Sequence, residues 1–182
     1  AQELVQIEGD KTFRKSFEKI VKISEELEVP VILKEVGSGF SREDGILVEN
    51  SPIAGIDVGG VGGTTWTGVE ALRAKRSQNE FHHEVGKLFW NWGIATPISV
   101  AEVRSATQKT IIATGGIRNG MQAAKAIALG ADAVGMALPF LKAANKGYES
   151  LQYFVEKFVY ELKTAMFVLG CRTIEDLKKI PV

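Results

Sequence analysis

The stretch from Thr110 to Pro139, TIIATGGIRNGMQAAKAIALGADAVGMALP, decides the fold. It opens on a β-branched apolar run that reads as a buried strand and ends in the paired glycines Gly115 and Gly116. Asn119 then begins a helix that runs through Leu129 and stops at Gly130, a residue type favoured just past a helix end. A second apolar run, ADAVGMA at 131–137, follows at once. Strand, helix and strand in this succession make a parallel βαβ unit with a right-handed crossover.

The same alternation extends in both directions. Upstream, Phe13, Phe17, Ile20, Val21 and Leu27 share one helical face, which predicts a helix over Thr12–Glu28 with Thr12 as its cap. Pro30 opens a short strand, VILKEV, that runs into Gly37, Ser38 and Gly39. SREDGILVEN reads as a short helix, and IAGIDV at 53–58 as a second strand ending in GGVGGTTW at 59–66. Helical stretches are expected between Gly68 and Trp92 and again over Pro97–Ser105. Downstream, apolar residues at helical spacing from Leu151 to Leu169 predict a long amphipathic helix ending at Gly170.

About four strands separated by helices indicate an α/β fold. Glycine clusters at the C-terminal ends of three successive strands stand where a (β/α)₈ TIM barrel builds its active site, and its last strands commonly hold a phosphate. A doubly wound sheet shares the alternation, but no G-x-G-x-x-G or Walker A pattern follows any of the strands. The expectation is one partial TIM-barrel domain over residues 1–182, about the C-terminal half of a barrel. A complete barrel takes at least about 200 residues, and the chain opens on AQE rather than on Met, so the remaining strands are expected upstream.

Composition excludes several classes. Lys+Arg 22 against Asp+Glu 22 leaves no net charge, hence no broad electropositive field for nucleic acid or anionic lipid. Any anion site must be local. The single Cys171 excludes a disulfide framework within the chain and a cysteine-based zinc cluster, and it fits a reducing, cytoplasmic setting. No apolar run approaches the roughly 20 residues that span a bilayer, and the first ten residues lack the pattern of a signal peptide.

The chemistry sits at the strand ends. In ATGGIRNG, Gly115 and Gly116 allow backbone N–H groups to approach an anion closely, and Arg118 adds a charge-matched guanidinium. GGVGGTTW offers a second wall, flanked by Asp57 and Trp66. Lys34 and Glu35 interrupt an apolar strand, so one of the two points into the barrel, where a lysine needs an anion or a structural carboxylate as partner. His82 and His83 lack the spacing of metal ligands and read as surface residues; Trp90 and Trp92 read as packing residues, Cys171 as an unreactive thiol, and Lys178–Lys179 as a solvated helix face.

Taken together, AQE at 1–3, QIEGD at 6–10, VILKEVGSGFS at 31–41, DVGGVGGTTW at 57–66, NWGIAT at 91–96 and the glycine-rich stretch at 113–139 resemble the C-terminal half of the type 2, flavin-dependent isopentenyl-diphosphate delta-isomerases. The resemblance covers nearly the whole chain in colinear order. It implies interconversion of isopentenyl and dimethylallyl diphosphate with reduced FMN, Mg²⁺ and NADPH as the source of reducing equivalents, in a homo-oligomer acting on a small diphosphate. By position it implies that Lys34 contacts the flavin ring, and that Thr64, Gly115, Gly116, Ile117, Arg118, Ala137 and Leu138 hold the FMN tail and phosphate. Gln2 would lie beside the reacting carbons as the catalytic and substrate-binding residue, Glu3 would bind Mg²⁺, and Trp66 would wall the substrate pocket. Gly59 stands where that family usually has a small hydroxyl residue, and Ile7 where it commonly has proline.

Two other functions compete. An FMN-dependent 2-hydroxy-acid oxidase shares the phosphate motif, but it needs a histidine base at the end of a barrel strand, and both histidines here lie in a polar helical stretch. A non-catalytic half-barrel that binds a flavin or phosphate and covers its sheet edges by assembly is the alternative of a different class.

Overall fold

The computed structural model describes residues 1–181. Four parallel strands, β1 (Ile32–Lys34), β2 (Gly55–Asp57), β3 (Thr110–Ala113) and β4 (Ala133–Val134), form a sheet in that spatial order. The helices α1 (Gln2–Val5) and α2 (Ser16–Glu26) precede β1, and α3 (Arg42–Glu49) joins β1 to β2. Between β2 and β3 run α4 (Trp66–Arg76), α5 (Glu80–Leu88) and α6 (Thr96–Arg104), and α7 (Gly120–Ala128) links β3 to β4. After β4 come α8 (Leu138–Ala144), α9 (Tyr148–Val168) and α10 (Ile174–Leu177).

Pairing is in register, with Leu33 opposite Ile56 and Ile56 opposite Ile111 on one side of the pleat, and Lys34 opposite Asp57 and Asp57 opposite Ile112 on the other. Ile56, Ile111 and Ala113 are fully buried among Val48, Ile53, Val58, Val100, Val103 and Ala123, so the core lies between the sheet and helices α3, α6 and α7. The opposite face carries Ile32, Lys34, Asp57 and Ile112, of which Ile32 and Lys34 are exposed. Parallel strands in sequential order, with helices on one face only, form part of a (β/α)₈ barrel, and the exposed face is its inner wall. The α/β partial barrel expected from the sequence is the fold of this chain.

Local chemistry explains where the elements begin. Ser41 caps α3 in a reciprocal box with Asp44, and Asn119 caps α7 by accepting the Gln122 amide at 2.8 Å. Gly120 lets α7 meet α9 closely, because a Cβ there would run into backbone at Phe158 and Leu162. Gly170, at φ +71°, lies just past the C-cap of α9.

Several sequence expectations need correction. The first amphipathic helix starts at Ser16, not Thr12: the Thr12 amide donates to Asp10 in a preceding turn, and Phe13 is 57% exposed outside the helix. The helix expected from Pro97 begins one residue earlier, at Thr96. His83 is buried rather than superficial, with Nδ1 2.9 Å from the Ala71 carbonyl oxygen. Lys178 is no freely solvated residue: it pairs with Asp132 at 2.9 Å and Glu175 at 3.3 Å and ties α10 to the start of β4. Trp90 packs over Gly68 as expected, whereas Trp92 meets Phe89 edge-on but is 63% exposed. Cys171 is buried, with its thiol 3.8 Å from the Leu169 carbonyl oxygen.

Asp132 gathers this end of the barrel: it accepts from Arg104 at 2.6 Å, from the Ile111 amide at 2.9 Å and from Lys178. Burial pushes its carboxyl up, but the Lys178 hydrogen bond, the Ile111 amide and the Arg104 charge outweigh it and hold the group below the usual carboxylate value. A lowered folded pKa contributes stability that is present above the unfolded value and lost as pH falls through the folded one. The melting temperature should therefore drop as pH falls below about 4, and D132N should flatten that part of the profile; an unchanged profile would remove Asp132 from the acid limb.

Candidate active site at the C-terminal ends of the strands

The inner wall ends in a polar cluster drawn from three neighbouring strands. Lys34, the last residue of β1, places Nζ 2.8 Å from Asp57 Oδ2 and 3.3 Å from Thr114 Oγ1. The register makes this unavoidable, because Lys34 is the pairing partner of Asp57 and Thr114 lies two residues past Ile112 on the same face. The Thr114 hydroxyl donates to Asp57 Oδ1, and the Gly59 amide lies 3.2 Å from Thr114 Oγ1 and 3.3 Å from Asp57 Oδ1. Lys34 rather than Glu35 is the inward member of the pair. The Glu35 carboxylate instead accepts the Val36 and Ser38 amides at 2.8 and 3.4 Å and shapes the turn after β1. Asp57 is both the structural carboxylate that steadies Lys34 and nearly buried, its side chain 14% exposed against 52% for Lys34.

Beside this cluster, the loops after β2 and β3 meet backbone to backbone. Gly62, Gly115 and Gly116 have φ of +142°, +103° and +80°, and a Cβ on Gly63 would sit 3.0 Å from the Gly116 nitrogen. Arg118 straps the two turns together, donating to the Gly116 and Gly62 carbonyl oxygens at 2.9 Å each. Among the described residues, the amides of Gly62, Gly63, Gly115, Gly116 and Ile117 donate to no protein acceptor. Uncommitted N–H groups on two adjoining turns are an arrangement that can bind an anion. Thr64 is exposed at its rim, Ile117 is buried beneath it, and Ala137 and Leu138 open α8 just past β4.

The other expected site residues come from other elements. Gln2 and Glu3 belong to α1, which packs on α4 and α5. That segment is tied down by Glu8, whose carboxylate meets Arg73 at 2.6 Å while Arg73 also holds Glu70. The Arg73 hydrogen bond holds the Glu8 carboxyl below its ordinary value. Glu3 Oε2 accepts the Asp10 amide at 2.9 Å, and no group of three or more His, Cys, Asp and Glu side chains stands ready for a metal among the described residues. Trp66, the first residue of α4, is 45% exposed and near Gly37 across the mouth. Gly59, at φ +44° and with the Glu35 carbonyl where a Cβ would have to sit, occupies a backbone conformation that a hydroxyl residue would adopt only under strain.

In the linear sequence Asp57 shows only as a polar residue flanking the glycine loop, and Thr114 carries no signal of its own. Alternation from Ile112 would have found Thr114, since every second residue of β3 faces the inner wall.

The sequence pattern of the FMN-dependent dehydrogenases matches residues 2–180. The chain belongs to that family. It is similar to proteins named isopentenyl-diphosphate delta-isomerase: 47% identical to that of Pyrococcus furiosus over 182 residues, 50% to that of Sulfurisphaera tokodaii over 184, and 46% to that of Methanosarcina mazei over 181. The match takes in the whole chain but only 45%, 50% and 49% of those relatives, so the chain spans about half their length. Among solved structures, the crystal structure of mandelate oxidase with (S)-4-hydroxymandelic acid superposes with a TM-score of 0.64 at 21% identity, covering 91% of this chain and 40% of that one. No helix among the described residues is long and apolar enough to cross a membrane.

Proposed function

We propose that this chain is the FMN-phosphate half of an isopentenyl-diphosphate delta-isomerase, residues 1–182 forming one partial-barrel domain of a cytoplasmic homo-oligomer. The observation that carries the reading is the pairing of an inward lysine at the end of β1 with open backbone amides at the ends of β2 and β3. Those groups fit FMN: the glycine cradle, which a Cβ would fill, suits its phosphate, and Lys34 suits the ring edge, where negative charge gathers on reduction. Bound there in its reduced form, with NADPH as reductant, FMN supplies an electron-rich ring able to give and take back a proton. Lys34 holds its ammonium toward that ring, aimed by Asp57 and Thr114. Gly115, Gly116, Ile117 and Arg118 fix the tail, with Thr64, Ala137 and Leu138 at the rim. Trp66 shields the mouth from water, and Gln2 orients the reacting carbons. Glu3 is a fitting Mg²⁺ ligand, because this ion takes one or two carboxylates and completes its shell with substrate phosphates and water.

The oxidase alternative lacks its base. His83 is spent inside the α4–α5 packing, and His82 lies 3.1 Å from Asn79 on α5, so neither reaches a strand end. A chimera tests the reading: this chain replaces the matching half of the Sulfurisphaera tokodaii relative, and the product is assayed with FMN and NADPH. Double-bond migration on the diphosphate, abolished by K34M, is the expected result. A yellow chimera that oxidises a 2-hydroxy acid, or one that binds no flavin, would overturn it.

A further inference from the structure

Thr96 belongs to neither glycine turn, yet it stands where the two meet and is only 5% exposed. Its amide donates to the Val61 carbonyl at 3.1 Å. Its hydroxyl lies 2.7 Å from the Gly115 carbonyl oxygen, 3.1 Å from that of Thr114 and 3.5 Å from that of Val61. A hydroxyl has a single hydrogen to give, and the shortest of these contacts takes it. The C=O and N–H of a trans peptide point in opposite directions. Holding the Gly115 oxygen against α6 therefore turns the Gly116 N–H outward. The Thr114 carbonyl is held by the Gly60 amide at 3.1 Å, which turns the Gly115 N–H outward as well. Those are two of the amides that find no protein acceptor among the described residues.

We propose that Thr96 is a positioning residue for the phosphate cradle: by anchoring the Gly115 carbonyl it presents the Gly116 amide to the anion, beside the Gly115 amide that the Gly60 bond to the Thr114 carbonyl turns outward. The inference rests on the flavin-phosphate reading above, and it adds the buried side chain that sets the cradle's shape. Without the hydroxyl the Gly115 carbonyl loses its donor, and that peptide is free to rotate the Gly116 N–H out of line.

The test compares FMN with riboflavin, which lacks the phosphate, by fluorescence titration of the purified full chain and its variants. The wild-type chain should prefer FMN. T96V should lose about tenfold of that preference, the worth of one charge-assisted bond, while riboflavin affinity stays put; T96S should keep it within about twofold. A merely structural role would lower both affinities together. Should T96V not fold, T96S against T96A, which differ by the hydroxyl alone, makes the same comparison. A wild-type chain that binds both flavins equally or neither overturns the phosphate reading, and the inference falls with it. A wild-type preference that T96V and T96A keep in full overturns the role of Thr96 alone.

Discussion

G116A is expected to cost about a hundredfold in FMN affinity, measured by titration against the wild-type chain. Two effects add. At φ +80° an alanine pays for a left-handed backbone, roughly 1–2 kcal/mol. Its methyl would also enter the backbone of Gly62, whose α-carbon would lie 2.9 Å away. Because the obstacle is main chain rather than the end of a flexible side chain, it is relieved only by parting the two turns. Parting them breaks the Arg118 bonds to Gly62 and Gly116 and scatters the amides that converge on the anion. G147A is the control, since that glycine shares a positive φ but an added methyl there would meet nothing within 4 Å; it should cost some stability and leave FMN affinity within about twofold. Equal losses in both variants would mean that global stability, not the cradle, governs binding.

The glycine turns were legible in the sequence because their signal is local. Paired glycines after an apolar β-branched run have few other uses, and the run itself fixes which end of the strand they occupy. The inward lysine was legible only as one of two, since Lys34 and Glu35 alternate and nothing in the linear order says which face meets the helices. That is decided by Ile56 and Ile111, which take the helix side of the pleat and send Asp57 and Lys34 to the other. Thr96 was invisible for a different reason. It is a lone hydroxyl in the mostly apolar turn WGIAT before a proline, and its value comes from the loops at 60–61 and 114–115 folding over it from both sides in sequence. The same holds for His83: a histidine in SQNEFHHEVG looks solvated until α4 closes over α5 and offers the Ala71 carbonyl. Helix boundaries went astray where a side chain captured a backbone amide early, as Asp10 does at Thr12.

The two faces of β3 give the largest expected difference in stability. Ile111 is fully buried between the sheet and the helices, and Ile112, its neighbour, faces the inner wall. I111A should destabilise the chain by about 3–4 kcal/mol, from lost transfer energy and an unfilled cavity, which in a chain of this length lowers the melting temperature by about 10 °C. I112A removes the same atoms from a half-buried position and should cost about 1 kcal/mol. The ratio matters more than either value. A helix-side core and an open inner wall predict a strong asymmetry between adjacent residues, whereas a sheet covered equally on both faces predicts none. Thermal melts of the two variants at the same protein concentration decide it: matching losses would show the inner wall covered in solution, as the half-barrel assembly alternative requires, and would move Lys34 and Asp57 from an open mouth into an interface.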